Sequence, residues 1–153
     1  MAILTENRSA LGTALAASAV GKPRRVRRRP TVRARVLWVD DDPNITAALS
    51  RRLYRKGIEL WPASDGMQGY WFAVTRKPDI IVTDLRMPRW DGRDLLECLL
   101  ANGMTTGVPV VVVSGYVTPA ERSRLEHQGV AAVLDKPVAW PLLCKTFERL
   151  LVE

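Results

Sequence analysis

Two apolar runs in this chain end in acid. Val36-Leu37-Trp38-Val39 runs into Asp40-Asp41-Asp42, and Ile80-Ile81-Val82 passes through Thr83 into Asp84. Two more end in a hydroxyl and an ammonium: Val108–Val113 leads to Ser114, and Ala131–Leu134 leads through Asp135 to Lys136. Carboxylates gathered in one place repel, each pair costing about 4 kcal/mol at about 4 Å and an effective dielectric of about 20. A hard, oxygen-preferring cation such as Mg²⁺ relieves that cost, because it accepts one or two carboxylates, a carbonyl and several waters. With Lys136 as a fixed positive charge and Ser114 as a hydrogen-bond donor, the set makes half of a phosphoryl-transfer site. Cations neutralise the phosphoryl oxygens while a carboxylate attacks. No Gly-rich loop of the Walker type occurs, so a nucleotide is not the expected donor.

Bringing those groups together requires a particular architecture. Short apolar runs bounded by Pro, Gly and Asp, such as Lys77-Pro78 before and Asp91-Gly92 after the run ending at Asp84, read as strands buried on both faces. The remaining strand, Ile58–Trp61, carries Glu59 in its middle, which points to a sheet edge. Between the strands lie helical patterns. The first spans Pro43 or Asn44 to Lys56, with Ile45, Ala48, Leu49 and Leu53 on one face and Gly57 as its stop. The second has Ser64 as expected N-cap and carries Trp71, Phe72 and Val74. The third carries Leu95, Leu96, Leu99 and Leu100, the fourth opens at Thr118-Pro119 and stops near Gly129, and the last starts near Pro141 and presents Leu143, Phe147 and Leu150 inward. The count is five strands and five helices in strict alternation. That pattern implies right-handed crossovers, a parallel sheet covered on both sides, and a ligand site beyond the carboxyl ends of the strands. Asp40, Asp41, Asp84, Ser114 and Lys136 all fall at those ends.

Composition bounds the answer further. At 153 residues with 47% hydrophobic content, the chain holds one core and has no room for a second full domain. Cys98 and Cys144 read as small buried hydrophobes in a reducing, cytoplasmic compartment, and the single histidine, His127, falls at a helix end. The net charge of +7 is unevenly spread: residues 1–35 hold nine Lys and Arg against Glu6, leaving 14 cations against 15 acids in the rest. The run Leu11–Val20 is too short to span a bilayer, and its basic cluster follows where a leader's would precede it. Lys22 to Pro30 lacks apolar periodicity and is dense in like charge, so residues 1–34 read as a disordered basic arm. The arm is read as a solvated tail or as residues upstream of the true start. Contact with nucleic acid through residues 22–35 is the other reading.

Val39-Asp40-Asp41-Asp42-Pro43, Ile81-Val82-Thr83-Asp84 followed by Met87-Pro88 and Asp91-Gly92, Val113-Ser114-Gly115, and Leu134-Asp135-Lys136-Pro137 together resemble the receiver domain of bacterial two-component response regulators. The likeness covers residues 35–153. It implies a five-stranded, flavodoxin-like sheet in the order 2-1-3-4-5, with Asp84 as phosphoacceptor and a Mg²⁺ held by Asp40, Asp41, Asp84 and the backbone carbonyl of Arg86. It implies that Ser114 and Lys136 follow the phosphoryl group, and that the Lys136-Pro137 peptide is cis. Asp42 matches a position that is acidic without being a ligand, and favouring the start of the first helix accounts for it. In this family the position three before the lysine is usually Tyr or Phe; here it is Val133. Tyr116 is then either a substitute aromatic or a gate over Asp84, and Arg86 is placed to tune hydrolysis of the phosphoryl group. Trp90 reads as a plug seating the loop after Asp84 on apolar surface.

The resemblance implies a stand-alone regulator that receives its phosphoryl group from a sensor histidine kinase or a histidine phosphotransfer protein and then binds an unidentified protein partner. Such a regulator is expected to assist its own phosphorylation and dephosphorylation without turning over an external substrate, as a monomer or weak homodimer. Beyond the receiver pattern only Leu150 to Glu153 remain, so no output module is expected. Two other classes remain: a Mg²⁺-dependent phosphatase with an Asp nucleophile, for which Asp40 and Asp42 have the loop spacing, and a binding module that uses the basic arm. For the last, if the eight cations from Lys22 to Arg35 meet duplex phosphates, affinity falls with salt at a logarithmic slope of roughly −7, and deleting the arm abolishes that dependence. Equal DNA binding by the full-length and arm-deleted proteins removes that reading.

Overall fold

The strand that ends at Asp84 has no polar face to turn toward water. All four residues of β3 (Ile80–Thr83) are buried, and such a strand needs a layer on each side. The computed structural model, which describes residues 31–152, supplies both. β1 (Ala34–Val39), β2 (Ile58–Ala63), β3, β4 (Val110–Ser114) and β5 (Ala132–Asp135) form a parallel sheet in the order β2-β1-β3-β4-β5. They alternate with α1 (Pro43–Tyr54), α2 (Gly66–Arg76), α3 (Gly92–Ala101), α4 (Pro119–His127) and α5 (Trp140–Leu150). This is the doubly wound, flavodoxin-like order expected, and β2 is indeed an edge, with Glu59 paired to Arg35 at 3.7 Å.

Side chains alternate across each strand, so the two halves of every apolar run feed different cores. Val36 and Trp38 of β1, Ile80 and Val82 of β3, and Val111 and Val113 of β4 pack with Leu53 of α1 and with Leu143 and Phe147 of α5. Leu37, Val39, Ile81, Val110 and Val112 face the other way, against Ala73 of α2, Leu95, Leu96 and Leu99 of α3, and Leu125 of α4. Strand order reverses between β1 and β3, and the crevice opens there, at the carboxyl ends.

Local chemistry moves several expected boundaries. The cap of α2 is Asp65, not Ser64: the Asp65 carboxylate accepts from Gln68 N at 2.8 Å, while Gln68 Oε1 accepts from the Ser64 N–H at 2.8 Å. β4 begins at Val110, two residues later than expected, because Pro109 has no N–H to give the ladder. α1 stops at Tyr54 ahead of Gly57, which takes a φ of 79°. Its inward face is rotated toward Thr46, whose hydroxyl donates to the Pro43 carbonyl at 3.1 Å, so Ala48 is exposed. Cys98 and Cys144 are free and half-buried, not fully buried. Each lies about 100° around its helix from a neighbouring leucine, Leu99 or Leu143, that takes the centre of the face. Arg35 belongs to β1, whereas residues 1–30, and with them most of the basic arm, lie outside the described residues.

One contact joins the fold directly to the crevice. A Cβ on Gly92 would lie 1.8 Å from the Asp84 carbonyl oxygen and 2.7 Å from Leu85 Cα, so α3 starts with its backbone seated on the backbone after β3. No side-chain rotation relieves such a clash. Gly92→Ala is expected to cost about 2 kcal/mol or more in urea unfolding. Gly103→Ala, whose Cβ meets nothing within 4 Å, is expected to stay within about 0.5 kcal/mol.

Candidate functional site

Each strand ladder runs one residue past its strand, and that extension brings the acids together. Asp40 N donates to the Ala63 carbonyl and Asp84 N to the Val39 carbonyl, both at 3.0 Å, so the two carboxylates leave adjacent strand ends side by side. Both are buried, at 3% and 7% exposure. Loop amides hold them: Asp40 Oδ1 accepts from Asp42 N at 2.9 Å, and Asp84 Oδ1 from Arg86 N at 3.0 Å. Asp41 is exposed but turns toward them, and one carboxylate oxygen from each of Asp40, Asp41 and Asp84 lies within 4.8 Å of the other two.

Lys136 answers this charge. Its Nζ donates to Asp40 Oδ2 and to Asp84 Oδ2, both at 2.7 Å. Burial pulls the ammonium's pKa down, but hydrogen bonds to Asp40 and Asp84, with the charges of the same two groups, outweigh it and hold the pKa above the usual lysine value. The Lys136-Pro137 peptide is cis, and Lys136 N donates to the Ser114 carbonyl at 2.9 Å. That joins the ends of β4 and β5 at the rim of the crevice. Ser114 is fully buried, and its Oγ is the one buried side-chain polar atom among the described residues without a hydrogen-bond partner. A buried hydroxyl left unpaired costs about 1–3 kcal/mol. It is a donor waiting for an acceptor.

The donor set suits a hard divalent cation. Three carboxylates against one ammonium leave two negative charges, and every candidate ligand atom is an oxygen. The other residues singled out in the sequence sort as follows. Asp42 is not in the cluster; its carboxylate accepts from Asn44 N at 2.9 Å and caps α1. Arg86 contributes its backbone N–H, and its side chain is exposed. Tyr116 is 63% exposed. Trp90 is half-buried, meets Tyr70 edge-on at 6.2 Å between ring centroids and lies against Gly66, in keeping with a plug. Sequence reasoning passed over Thr83, whose hydroxyl donates to the Asp84 carbonyl at 3.0 Å; the signal was a polar residue inside an otherwise apolar run. It also passed over Arg122, which reaches β5 from α4 and has no periodicity to announce it.

A five-stranded doubly wound sheet with an acidic cluster and a lysine at its switch point defines a class of α/β proteins that bind ligands at the strand ends. Within it, the response regulator receiver domain pattern matches residues 36–148, and the chain belongs to that family, the receivers of two-component systems. Protein PilH of Pseudomonas aeruginosa is 30% identical over 118 residues, covering 77% of this chain and 98% of that protein. A protein-glutamate methylesterase/protein-glutamine glutaminase of Anaeromyxobacter dehalogenans is 39% identical over 106 residues, but the match spans only 29% of it. Among solved structures, a response regulator from Desulfuromonas acetoxidans superposes with a TM-score of 0.70 at 29% identity, covering 77% of this chain and 96% of that one. The chemotaxis response regulator CheY4 of Vibrio cholerae also gives 0.70, at 26% identity over 76% of this chain and 98% of that one. Phosphoryl-aspartate and Mg²⁺ are features of the family, whose receivers are signalling domains. No helix among the described residues is long and apolar enough to cross a membrane.

Removing Lys136 leaves buried carboxylates uncompensated. Lys136→Met is expected to cost about 3 kcal/mol in urea unfolding without divalent ions, and an added Asp40→Asn to recover part of it. Because the folded pKa of Lys136 is raised, its contribution is fully present below the ordinary lysine value of about 10.4 and is lost as pH rises through the folded value. The gap in stability between natural chain and variant is therefore expected to hold from neutral pH to about 10 and to narrow above it.

Proposed function

We propose that this chain is a response regulator that takes a phosphoryl group on Asp84 from a histidine kinase or histidine phosphotransfer protein and, so modified, binds a protein partner. The observation that carries the reading is Lys136 bridging Asp40 and Asp84 at 2.7 Å beside the unpartnered Ser114 hydroxyl. A buried carboxylate, an ammonium in contact with it and a free donor nearby are what an acyl phosphate needs around it.

Asp84 is the nucleophile. One of its oxygens bonds to phosphorus as the phosphorus–nitrogen bond of the donor breaks, and the departing imidazole keeps the electron pair and takes up a proton. Asp84 Oδ1 stays held by Arg86 N. Lys136, already on Oδ2, exchanges a carboxylate partner for a phosphoryl oxygen, and Ser114 Oγ donates to another. Asp40, Asp41, Asp84 and the Arg86 carbonyl would hold Mg²⁺, which would supply positive charge against the phosphoryl oxygens. Arg86 and Tyr116, exposed at the rim, tune how water reaches the product. The match to nearly the full length of PilH supports a regulator that acts through the receiver itself.

Intact-mass spectrometry after incubation with acetyl phosphate tests this. The natural chain is expected to gain a single phosphoryl adduct with Mg²⁺ and none with chelator, and Asp84→Asn is expected to gain none. No adduct under any condition, with the fold intact by circular dichroism, would overturn the assignment. Turnover of generic phosphate esters by the natural chain would point instead to a phosphatase.

A further inference from the structure

α4 buries a single side chain, Leu125, so apolar packing alone holds it weakly. Two arginines supply the rest. Arg93 of α3 pairs with Glu121. Arg122 reaches from α4 to β5, where Nη1 donates to the Val133 carbonyl at 2.6 Å and Nη2 to both oxygens of Asp135, at 2.9 and 3.0 Å. A planar guanidinium has the fixed fork to span a carbonyl and a carboxylate two residues apart; an ammonium does not.

The place of this clasp matters more than its strength. With the Arg122 side chain 33% exposed and that of Asp135 66% exposed, the ion pair by itself adds little stability. But Asp135 directly precedes Lys136, whose N–H is held by the Ser114 carbonyl and whose ammonium joins Asp40 to Asp84. Clasp, backbone joint and site lysine are consecutive links at the end of one strand. The carbonyl that Arg122 grips belongs to Val133, two residues before Asp135 on the same strand.

We propose that Arg122 is a positioning residue: it fixes the end of β5 from which Lys136 reaches the acidic cluster, and it carries movement of Lys136 into α4. The second half rests on Asp84 being the phosphoacceptor. Once Lys136 turns to a phosphoryl oxygen, Asp135 moves with it through one peptide bond. The guanidinium then draws on α4, which has one buried side chain to hold it in place.

Amide hydrogen exchange on the full-length chain tests both halves, comparing the natural protein with Arg122→Gln and Asp135→Asn, before and after acetyl phosphate with Mg²⁺. At rest, the Lys136 amide and those of α4 are expected to exchange about tenfold faster in Arg122→Gln, with the Asp84 amide unchanged. A merely stabilising side chain would speed all of them alike, and that result overturns the positioning role. After phosphorylation, α4 exchange is expected to change in the natural chain and to stay fixed in Arg122→Gln; an equal change in both overturns the transmission. Asp135→Asn, which keeps the Val133 bond, is expected to lie between the two, and it decides the matter if Arg122→Gln does not fold. If the natural chain takes no adduct, the Asp84 assignment fails, and the resting comparison still decides the positioning role.

Discussion

A single ammonium lies between two buried carboxylates at the end of the sheet, and much of the structure serves to keep it there. Three acids delivered by neighbouring strand ends are a liability by Coulomb's law alone, and Lys136 offsets only part of it. The residual negative charge makes the crevice attractive to a divalent cation and leaves the lysine with two partners to choose between. The parallel sheet makes this arrangement possible. Strand ladders that run one residue beyond β1 and β3 fix the acids to inner strands of the sheet, whereas Lys136 directly follows an edge strand with one neighbour.

That asymmetry separates what is rigid from what can move. Asp84 is tied on every side: its N–H to Val39, its carbonyl to Thr83, its carboxylate to Arg86, and its backbone packed against Gly92. Lys136 is tied through a chain of polar contacts that includes the Ser114 carbonyl and, one residue back, the Arg122 guanidinium. A change of charge at Asp84 cannot easily move β3, with both its faces in the core. The softer response lies across the crevice, in β5 and the helix clasped to it. Moving a two-state element from roughly 1:99 to roughly 99:1 takes about 5.5 kcal/mol, and charge-assisted hydrogen bonds are the interactions here of that order.

Much of the fold could be read from the sequence because β1, β3 and β4 are apolar on both faces, which a parallel sheet requires and little else tolerates. The acids, the serine and the lysine were legible because each stands within two residues of the end of an apolar run. What escaped reading depended on which of two adjacent polar groups reaches a partner. Asp65 displaced Ser64 as a cap because its carboxylate meets Gln68 N, and Pro109 cut β4 short by lacking a donor. The clasp of Arg122 on β5 escaped for a different reason: 11 residues separate it from Val133, and no spacing rule connects a surface arginine to a strand carbonyl.

The thin anchoring of α4 also bears on how such a protein can diversify. Its exposed positions, among them Ala120, Ser123, Arg124 and Glu126, belong to neither apolar cluster, and substitutions at such sites usually change stability by less than about 0.5 kcal/mol. The helix that stands beside the site lysine is therefore the one whose outer surface can be rewritten most freely without unfolding the domain. Chemistry kept constant in the crevice and recognition left free to drift on α4 would let duplicated copies of one ancestral switch part company, each acquiring its own listener before losing its fold.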